Sequence, residues 1–313
     1  MKPNILFMGT PEFAVPSLKV LAEAGHNIIG VVTQPDRPKG RGRKSVPSPV
    51  KTCALEMGIE VYQPDRVRDG AFLETFRGIS PDMVVLTAFG QILPREIIEL
   101  PPLGCLNVHP SLLPRYRGAA PINWALINGE KKTGVTIMRM DEGVDSGDIL
   151  LQEDVAIEKD DTFDDLHETL SGVGARLLAR AVTGVADGTI TGTAQDPSLV
   201  TLAPRLKRGE GHIDWNDEPE KIVNLIRGLS SRPGAYSFFR DKKLKIFYAV
   251  AGKEKSSGEK EPGRLGRLME AGLQVATRNG HVYLQDVQLE GKKRMLIEDF
   301  LRGHPMAPDD ILE

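Results

Sequence analysis

The sequence predicts an α/β protein in which a doubly wound, mostly parallel sheet is followed by a small β-barrel. Three observations predict it. The strand-like runs of the first half are apolar on consecutive positions, as strands covered on both faces are. Helix-like stretches separate them, which is the pattern of crossover connections. Beyond a polar, turn-rich stretch the pattern changes to short strands joined by turns.

In order, strands are expected at Asn4–Met8, Ile28–Thr33, Ile59–Tyr62, Met83–Thr87, Cys105–His109 and Val135–Met140. Helical segments such as Val15–Ala24, Val50–Met57 and Ile97–Leu100 lie between them, punctuated by Gly and Pro. A long helix is expected from Thr162 to about Ala186. Thr162 caps it, and Asp164 and Asp165 sit in the first turn, where the helix dipole favours negative charge. The polar run from Asp187 to Pro197 opens a linker reaching to about Arg208. A helix over Pro219–Leu229 then precedes five short strands, Tyr236–Phe239, Lys243–Val250, Gly263–Met269, Leu273–Thr277 and Val282–Leu289. Five strands after a helix point to a barrel of the oligonucleotide-binding type. Lys253–Glu261, rich in Lys, Glu and Ser, is expected to be a barrel loop. The domains are placed at 1–188 and 209–313, with 189–208 between them.

A chain of 313 residues, 40% hydrophobic and 27% charged, has material for two domains of roughly 100–200 residues each. No apolar run approaches the roughly 20 residues that span a bilayer. The opening run reaches Gly9 too soon for the apolar segment of a signal peptide. Cys53 and Cys105, far apart, give neither a disulfide framework nor a cysteine-built zinc site. The expected compartment is the cytoplasm. The net charge of −3 is unevenly spread. Residues 1–204 carry 20 Lys and Arg against 26 Asp and Glu, leaving −6, and residues 205–313 carry 20 against 17, leaving +3. A mildly basic tail on an acidic body is a weak pointer to an anionic partner.

In a doubly wound sheet ligands sit beyond the carboxyl ends of the strands, so the residues just after each strand matter most. Gly9-Thr10-Pro11 holds one glycine where a dinucleotide fingerprint needs three, so NAD and FAD are disfavoured. After the second strand comes Gln34–Pro49, longer than the 2–6 residues typical of such a connection. Arg37, Lys39, Arg41, Arg43 and Lys44 are basic there and only Asp36 is acidic. Gly and Pro forbid a helix, so these charges are expected on a flexible arm able to follow a phosphate backbone.

The strongest signal is Asn107-Val108-His109-Pro110-Ser111-Leu112-Leu113-Pro114. Two residues apart on a strand, Asn107 and His109 share a face. An amide donor beside an imidazole can stabilise the oxyanion of a carbonyl under attack. The other histidines, His26, His167, His212, His281 and His304, show no metal-ligand spacing and are taken as surface or packing residues. Beyond Val135–Met140 lies Asp141-Glu142-Gly143-Val144-Asp145-Ser146-Gly147-Asp148, where a carboxylate could orient His109 or favour its charged form. Spacing alone does not select which Asp does so.

Together these residues resemble the formyltetrahydrofolate-dependent formyltransferases. Asn107-Val108-His109 with Ser111-Leu112-Leu113-Pro114 matches that family's Asn-x-His and Ser-Leu-Leu-Pro motif, and Asp145-Ser146-Gly147 its Asp-x-Gly element. The resemblance spans essentially the whole chain and implies the family's Rossmann-like fold. It also implies a catalytic trio of Asn107, His109 and Asp145, and 10-formyltetrahydrofolate as formyl donor with no metal. By the same resemblance Ser111, Leu112, Leu113 and Pro114 line the tetrahydrofolate site, and Phe89, Gly90 and Ile92 belong to a pterin-side loop, Ala88–Pro94. The family's acceptors include glycinamide ribonucleotide, sugar nucleotides and charged tRNA. The basic loop Arg37–Lys44 looks like the insertion of the tRNA-dependent branch, with Arg41 at the position that branch relies on most. The expected acceptor is thus the α-amine of initiator methionyl-tRNA, handled by a monomer with no membrane partner.

Overall fold

The computed structural model of the chain describes residues 2–39, 44–252, 261–308 and 310–313. It divides into two compact units. One consists of residues 1–119, 133–156 and 167–204, the other of 120–132, 157–166 and 205–313.

The first unit is built on a seven-stranded sheet. In chain order its elements are β1 (Asn4–Gly9), α1 (Val15–Glu23), β2 (Asn27–Val32), a ribbon of β3 (Arg37–Lys39) and β4 (Lys44–Val46), α2 (Pro49–Glu56), β5 (Val61–Tyr62), α3 (Gly70–Ile79), β6 (Met83–Thr87), α4 (Arg95–Glu99) and β7 (Cys105–His109). Then follow α5 (Pro121–Ile127), which clusters with the second unit, β8 (Lys132–Arg139), β9 (Ile149–Ala156) and α6 (Phe163–Ala186). The sheet order is β5-β2-β1-β6-β7-β8-β9. All pairings from β5 to β7 are parallel, and β8 runs antiparallel to β7. The chain winds outward in both directions from β1 and β6, so their carboxyl ends form the switch point where such sheets bind ligands.

Every residue of β6 and β7 is buried, as in strands covered on both faces, including the polar Asn107 and His109 of β7. α6 lies close on this sheet because Gly174 has no side chain; a Cβ there would press on Val108 and Val135. At the end of β1, Gly9 is required by packing, since a Cβ would meet Ala14, the Phe7 ring and the Thr87 carbonyl. α2 starts where Ser48 accepts a hydrogen bond from Lys51 N (3.0 Å) and Pro49 sets the first turn. At the start of α6, both the N–H and the hydroxyl of Thr162 donate to Asp165 Oδ2 (2.9 and 2.6 Å), so the first-turn carboxylate reaches back to the residue before the helix.

Cys105 is fully buried at the start of β7, and desolvation pushes its thiol up to about 12. At pH 8 an alkylating reagent is expected to spare Cys105 in the folded protein and modify it after urea unfolding. Modification at the rate of a free thiol in the native state would contradict this burial.

The second unit holds α7 (Pro219–Leu229), β10 (Ala235–Phe239), β11 (Lys242–Ala251), β12 (Leu265–Met269), β13 (Gly272–Thr277), β14 (Gly280–Leu289), β15 (Met295–Leu296) and α8 (Ile297–Gly303). Its antiparallel sheet has the order β10-β11-β14-β13-β12, with β15 on β14. Residues 310–313 lie between the two edges of that order. Phe238 and Glu313 exchange N–H···O bonds (2.8 and 3.0 Å). Leu312 N donates to Gly263 O (2.9 Å), and Leu265 N donates to Asp310 O (2.8 Å). The sheet is therefore closed through the last residues. Ile222, Ile226 and Leu229 of α7 lie on one helix face and fill its interior with Trp215, Leu244, Val275, Leu284 and Leu312. The buried Trp215 indole N–H donates to Ser237 Oγ (2.9 Å), which donates to Glu313 O (2.5 Å). α5 packs on α7, where Asn123 donates to the Gly228 carbonyl (2.8 Å), and Arg227 donates to the carbonyls of Glu158, Lys159 and Asp161 (3.1–3.4 Å). Of the expected loop Lys253–Glu261, residues 253–260 lie outside the described residues.

Candidate active site

β7 ends in Asn107-Val108-His109, paired with β6 on one side and β8 on the other. The Asn107 carboxamide, on a residue 8% exposed, has no hydrogen-bond partner among the described residues. His109 is also buried. Its Nε2 lies 3.0 Å from the carbonyl oxygen of Tyr116, and its Nδ1 lies 3.6 Å from Asp145 Oδ2. A carbonyl only accepts, so Nε2 carries a hydrogen and the ring orientation is set. At 3.6 Å the contact to Asp145 is too long for a hydrogen bond, which leaves Nδ1 beside a negative charge but uncommitted.

Three aspartates follow β8, and local geometry separates them. Asp141 is occupied locally, accepting from Ser146 Oγ (2.8 Å) and Gly143 N (3.0 Å). Asp148 is exposed, with its side chain against Gly192. Asp145 is left-handed (φ 49°), a conformation Asp tolerates better than most residues, and its Oδ2 accepts from Gly118 N (2.8 Å). The glycine of the Asp-x-Gly element is sterically required, because a Cβ on Gly147 would overlap the Arg139 carbonyl oxygen.

The Ser111–Pro114 loop is held from below by Thr136 of β8. The Thr136 hydroxyl donates to Ser111 O (2.7 Å) and accepts from Leu113 N (3.1 Å), and Gln152 donates to Thr136 Oγ1 and to Leu113 O, both at 2.8 Å. The Ser111 hydroxyl itself is spent on Arg115 O (2.8 Å). Leu113 is buried, whereas Leu112 and Pro114 are half-buried. In the loop after β6, Phe89 does not present its ring: the side chain packs in the core with Leu6, Val84 and Phe76, and its carbonyl accepts from Thr10 (3.1 Å) and Gln34 (3.3 Å). Gly90 is exposed with φ 84°, and Ile92 stands 92% exposed.

The basic loop departs from the flexible arm that its composition predicts. Its described parts form a two-stranded antiparallel ribbon, Arg37 opposite Val46 and Lys39 opposite Lys44. Arg37 is exposed, and only the backbone of Lys39 and Lys44 is described; Arg41 and Arg43 lie outside the described residues. Asp36, the loop's carboxylate, is already paired. Lys51 (2.7 Å) and Gln63 (2.7 Å) bind it and hold it below the usual carboxylate range, so it does not offset the basic residues.

Sequence reasoning missed the residues that fix this edge from the stretch expected as a linker. Thr201 Oγ1 accepts from Tyr116 N (2.9 Å), Arg117 N donates to Thr201 O (2.9 Å), and Ala203 N donates to Arg117 O (2.7 Å). Gln195 bridges Arg117 and the Asp145 turn. Among the described residues, no cluster of His, Cys, Asp and Glu is arranged to hold a metal ion, and no helix is long and apolar enough to cross a membrane.

Comparison with known proteins places the chain in a family. The formyl transferase family model matches residues 1–182, and the formyl transferase C-terminal domain model matches 205–305. The methionyl-tRNA formyltransferase of Syntrophus aciditrophicus (strain SB) is 56% identical over 311 residues, covering 99% of both chains. Among solved structures, an N-formyltransferase from Helicobacter canadensis in complex with folinic acid and dTDP-3-aminofucose shares the fold (TM-score 0.65, 18% identity, 94% of this chain and 100% of that one). So does HypX from Aquifex aeolicus in complex with tetrahydrofolic acid (TM-score 0.64, 18% identity, 100% of this chain), although the chain spans only 51% of HypX. By its motifs, its two matched domains and its full-length similarity, the chain belongs to the formyl transferase family, in the branch of the methionyl-tRNA formyltransferases.

Proposed function

We propose that the protein transfers the formyl group of 10-formyltetrahydrofolate to the free α-amino group of initiator methionyl-tRNA, giving formylmethionyl-tRNA for translation initiation. The observation that carries the mechanism is the placement of an unpartnered Asn107 carboxamide and an uncommitted His109 Nδ1 on one face of β7, with Asp145 alongside. The attacking amine must be neutral. An α-amino group titrates at about 7.7–8.0, and esterification to tRNA lowers this further, so no strong base is needed. The task left to the protein is to stabilise negative charge on the formyl oxygen as the amine attacks. Asn107 donates its amide hydrogens there, and His109 donates from Nδ1 in its charged form. Asp145 is the counter-charge of that ring and relays the proton released by the amine towards N10, which takes it up as the bond between N10 and the formyl carbon breaks and tetrahydrofolate leaves.

The donor is proposed to lie against the Ser111–Pro114 loop and the Gly90–Ile92 loop. The Asn107 donors and the exposed Ile92 side chain fit a ligand with a polar carbonyl and a flat ring whose face packs on an alkyl group. Phe89 contributes through its backbone only. Residues 1–188 are proposed as the catalytic domain and 209–313 as a tRNA-binding domain, acting as a monomer in the cytoplasm.

A transfer assay with charged initiator tRNA, charged elongator tRNA and an amino-sugar nucleotide tests the acceptor. Strong preference for the initiator tRNA is expected; equal use of the sugar nucleotide would contradict it. Arg41→Ala is expected to weaken tRNA use while leaving folate binding unchanged, and equal loss of both would contradict a role for the loop in tRNA binding. Binding of tRNA is also expected to weaken linearly with salt on logarithmic axes.

A further inference from the structure

Gln195 lies in an exposed stretch with no catalytic motif, yet its half-buried side chain has every hydrogen-bonding capacity engaged. Its Oε1 accepts from Arg117 Nε (3.0 Å) and Nη2 (2.7 Å). Its Nε2 donates to the carbonyl oxygens of Asp145 (2.9 Å) and Gly147 (2.7 Å). Two lone pairs and two N–H groups are all that a primary amide offers. A flipped amide would put its NH2 against a guanidinium and its oxygen against two carbonyls, so only one orientation is possible. A carboxylate could serve Arg117 but not the two carbonyls, and an alkyl chain could serve neither.

The backbone on both sides of Gln195 is anchored. Thr193 exchanges two backbone hydrogen bonds with Ile149 (2.8 and 2.9 Å), and Thr201 to Ala203 pair with Tyr116 and Arg117. The same segment thus reaches both partners of His109. Through Thr201 it holds Tyr116, whose carbonyl fixes Nε2. Through Gln195 it holds the left-handed turn whose carboxylate faces Nδ1.

We propose that Gln195 is a positioning residue for Asp145, and that with Arg117 it clamps the Asp145–Gly147 turn to the loop carrying Gly118 at the distance the reaction needs. The proposal deepens the mechanism given above and rests on Asp145 acting there. Displacing a reacting group by about 1 Å can cost ~100-fold in rate, and without the clamp nothing from this segment holds the Asp145 carbonyl.

A double-mutant cycle tests it, with kcat and KM measured for Gln195→Ala, Asp145→Asn and the double variant, alongside melting temperatures. The expected result is a fall in kcat of about tenfold or more for Gln195→Ala, KM for the folate donor within twofold of wild type, and no further loss when Gln195→Ala is added to Asp145→Asn. Groups that act as one unit behave in this way. If Gln195→Ala melts below the assay temperature, Gln195→Glu, which keeps the Arg117 pairing and loses the two donors, carries the same comparison and should show the same kcat loss. An unchanged kcat, or the same fold-loss in the Asp145→Asn background, would overturn the proposal while leaving the mechanism intact. Full activity of Asp145→Asn alone would overturn the mechanism instead.

Discussion

Asn107→Ala is expected to lower the single-turnover rate of formyl transfer about 100- to 1000-fold, with the melting temperature unchanged. The rate loss follows from removing one preorganised donor to an oxyanion, worth roughly 2.7–4 kcal/mol of barrier. The stability expectation follows from the structure. The Asn107 carboxamide has no hydrogen-bond partner among the described residues, so its removal orphans none of them. His109→Ala and Asp145→Ala are expected to cost orders of magnitude as well. Each also leaves a partner behind, the Tyr116 carbonyl in one case and Gly118 N–H in the other. Near-normal turnover in any of the three would remove that residue from the trio.

Deletion of residues 310–313 is expected to unfold the second unit or melt it at a far lower temperature. These residues supply the four backbone hydrogen bonds that join β10 to β12, and they place Leu312, 1% exposed, in the barrel interior. Leu312→Ala alone should cost about 2–5 kcal/mol, through lost burial and the cavity left behind. Urea melts followed by Trp215 fluorescence read this directly, because Trp215 shares the core with Leu312 and is bonded through Ser237 to Glu313. A melt of the deletion variant coinciding with wild type would show that the barrel closes by other means.

The legible parts of the chain were those whose signal is local. Met83–Thr87 and Cys105–His109 are bounded in the structure where unbroken burial begins and ends, and α7 starts at Pro219 as a proline at the first helical position dictates. β9 was hidden because, apart from buried Leu150, it alternates half-buried and exposed residues directly after an acidic turn, and its charges look like a continuation of that turn. α3 carries Gly70 and Gly78, which dilute its pattern, although Phe72 and Phe76 still mark its buried face. The β3–β4 ribbon depends on pairing across a loop rich in Gly and Pro, which composition presents as irregular.

The same division runs through the site. Asn107, His109 and the Asp-x-Gly turn are visible as side-chain types at fixed spacing. The groups that orient them are not, because most are backbone carbonyls and N–H groups, at Tyr116, Gly118, Asp145 and Gly147, which every residue carries. Gln195 and Thr201 contact this edge from 50 and 85 residues away, out of a stretch whose composition resembles a connector. Spacing alone did not separate Asp145 from Asp141 and Asp148; the family resemblance singled it out, and what sets it apart in the structure, a left-handed φ and a hydrogen bond from Gly118 N, is not encoded in residue type alone.

The central claim is that negative charge on the formyl oxygen is received by Asn107 and by the Nδ1 side of His109. A crystal structure with a non-transferable 10-formyl folate analogue measures this most directly. The analogue's carbonyl oxygen is expected within about 3.2 Å of both Asn107 Nδ2 and His109 Nδ1, with His109 Nε2 still on the Tyr116 carbonyl. An analogue bound with its N10 side turned away from β7, or with Nδ1 hydrogen-bonded to Asp145 and withdrawn from the ligand, would contradict it.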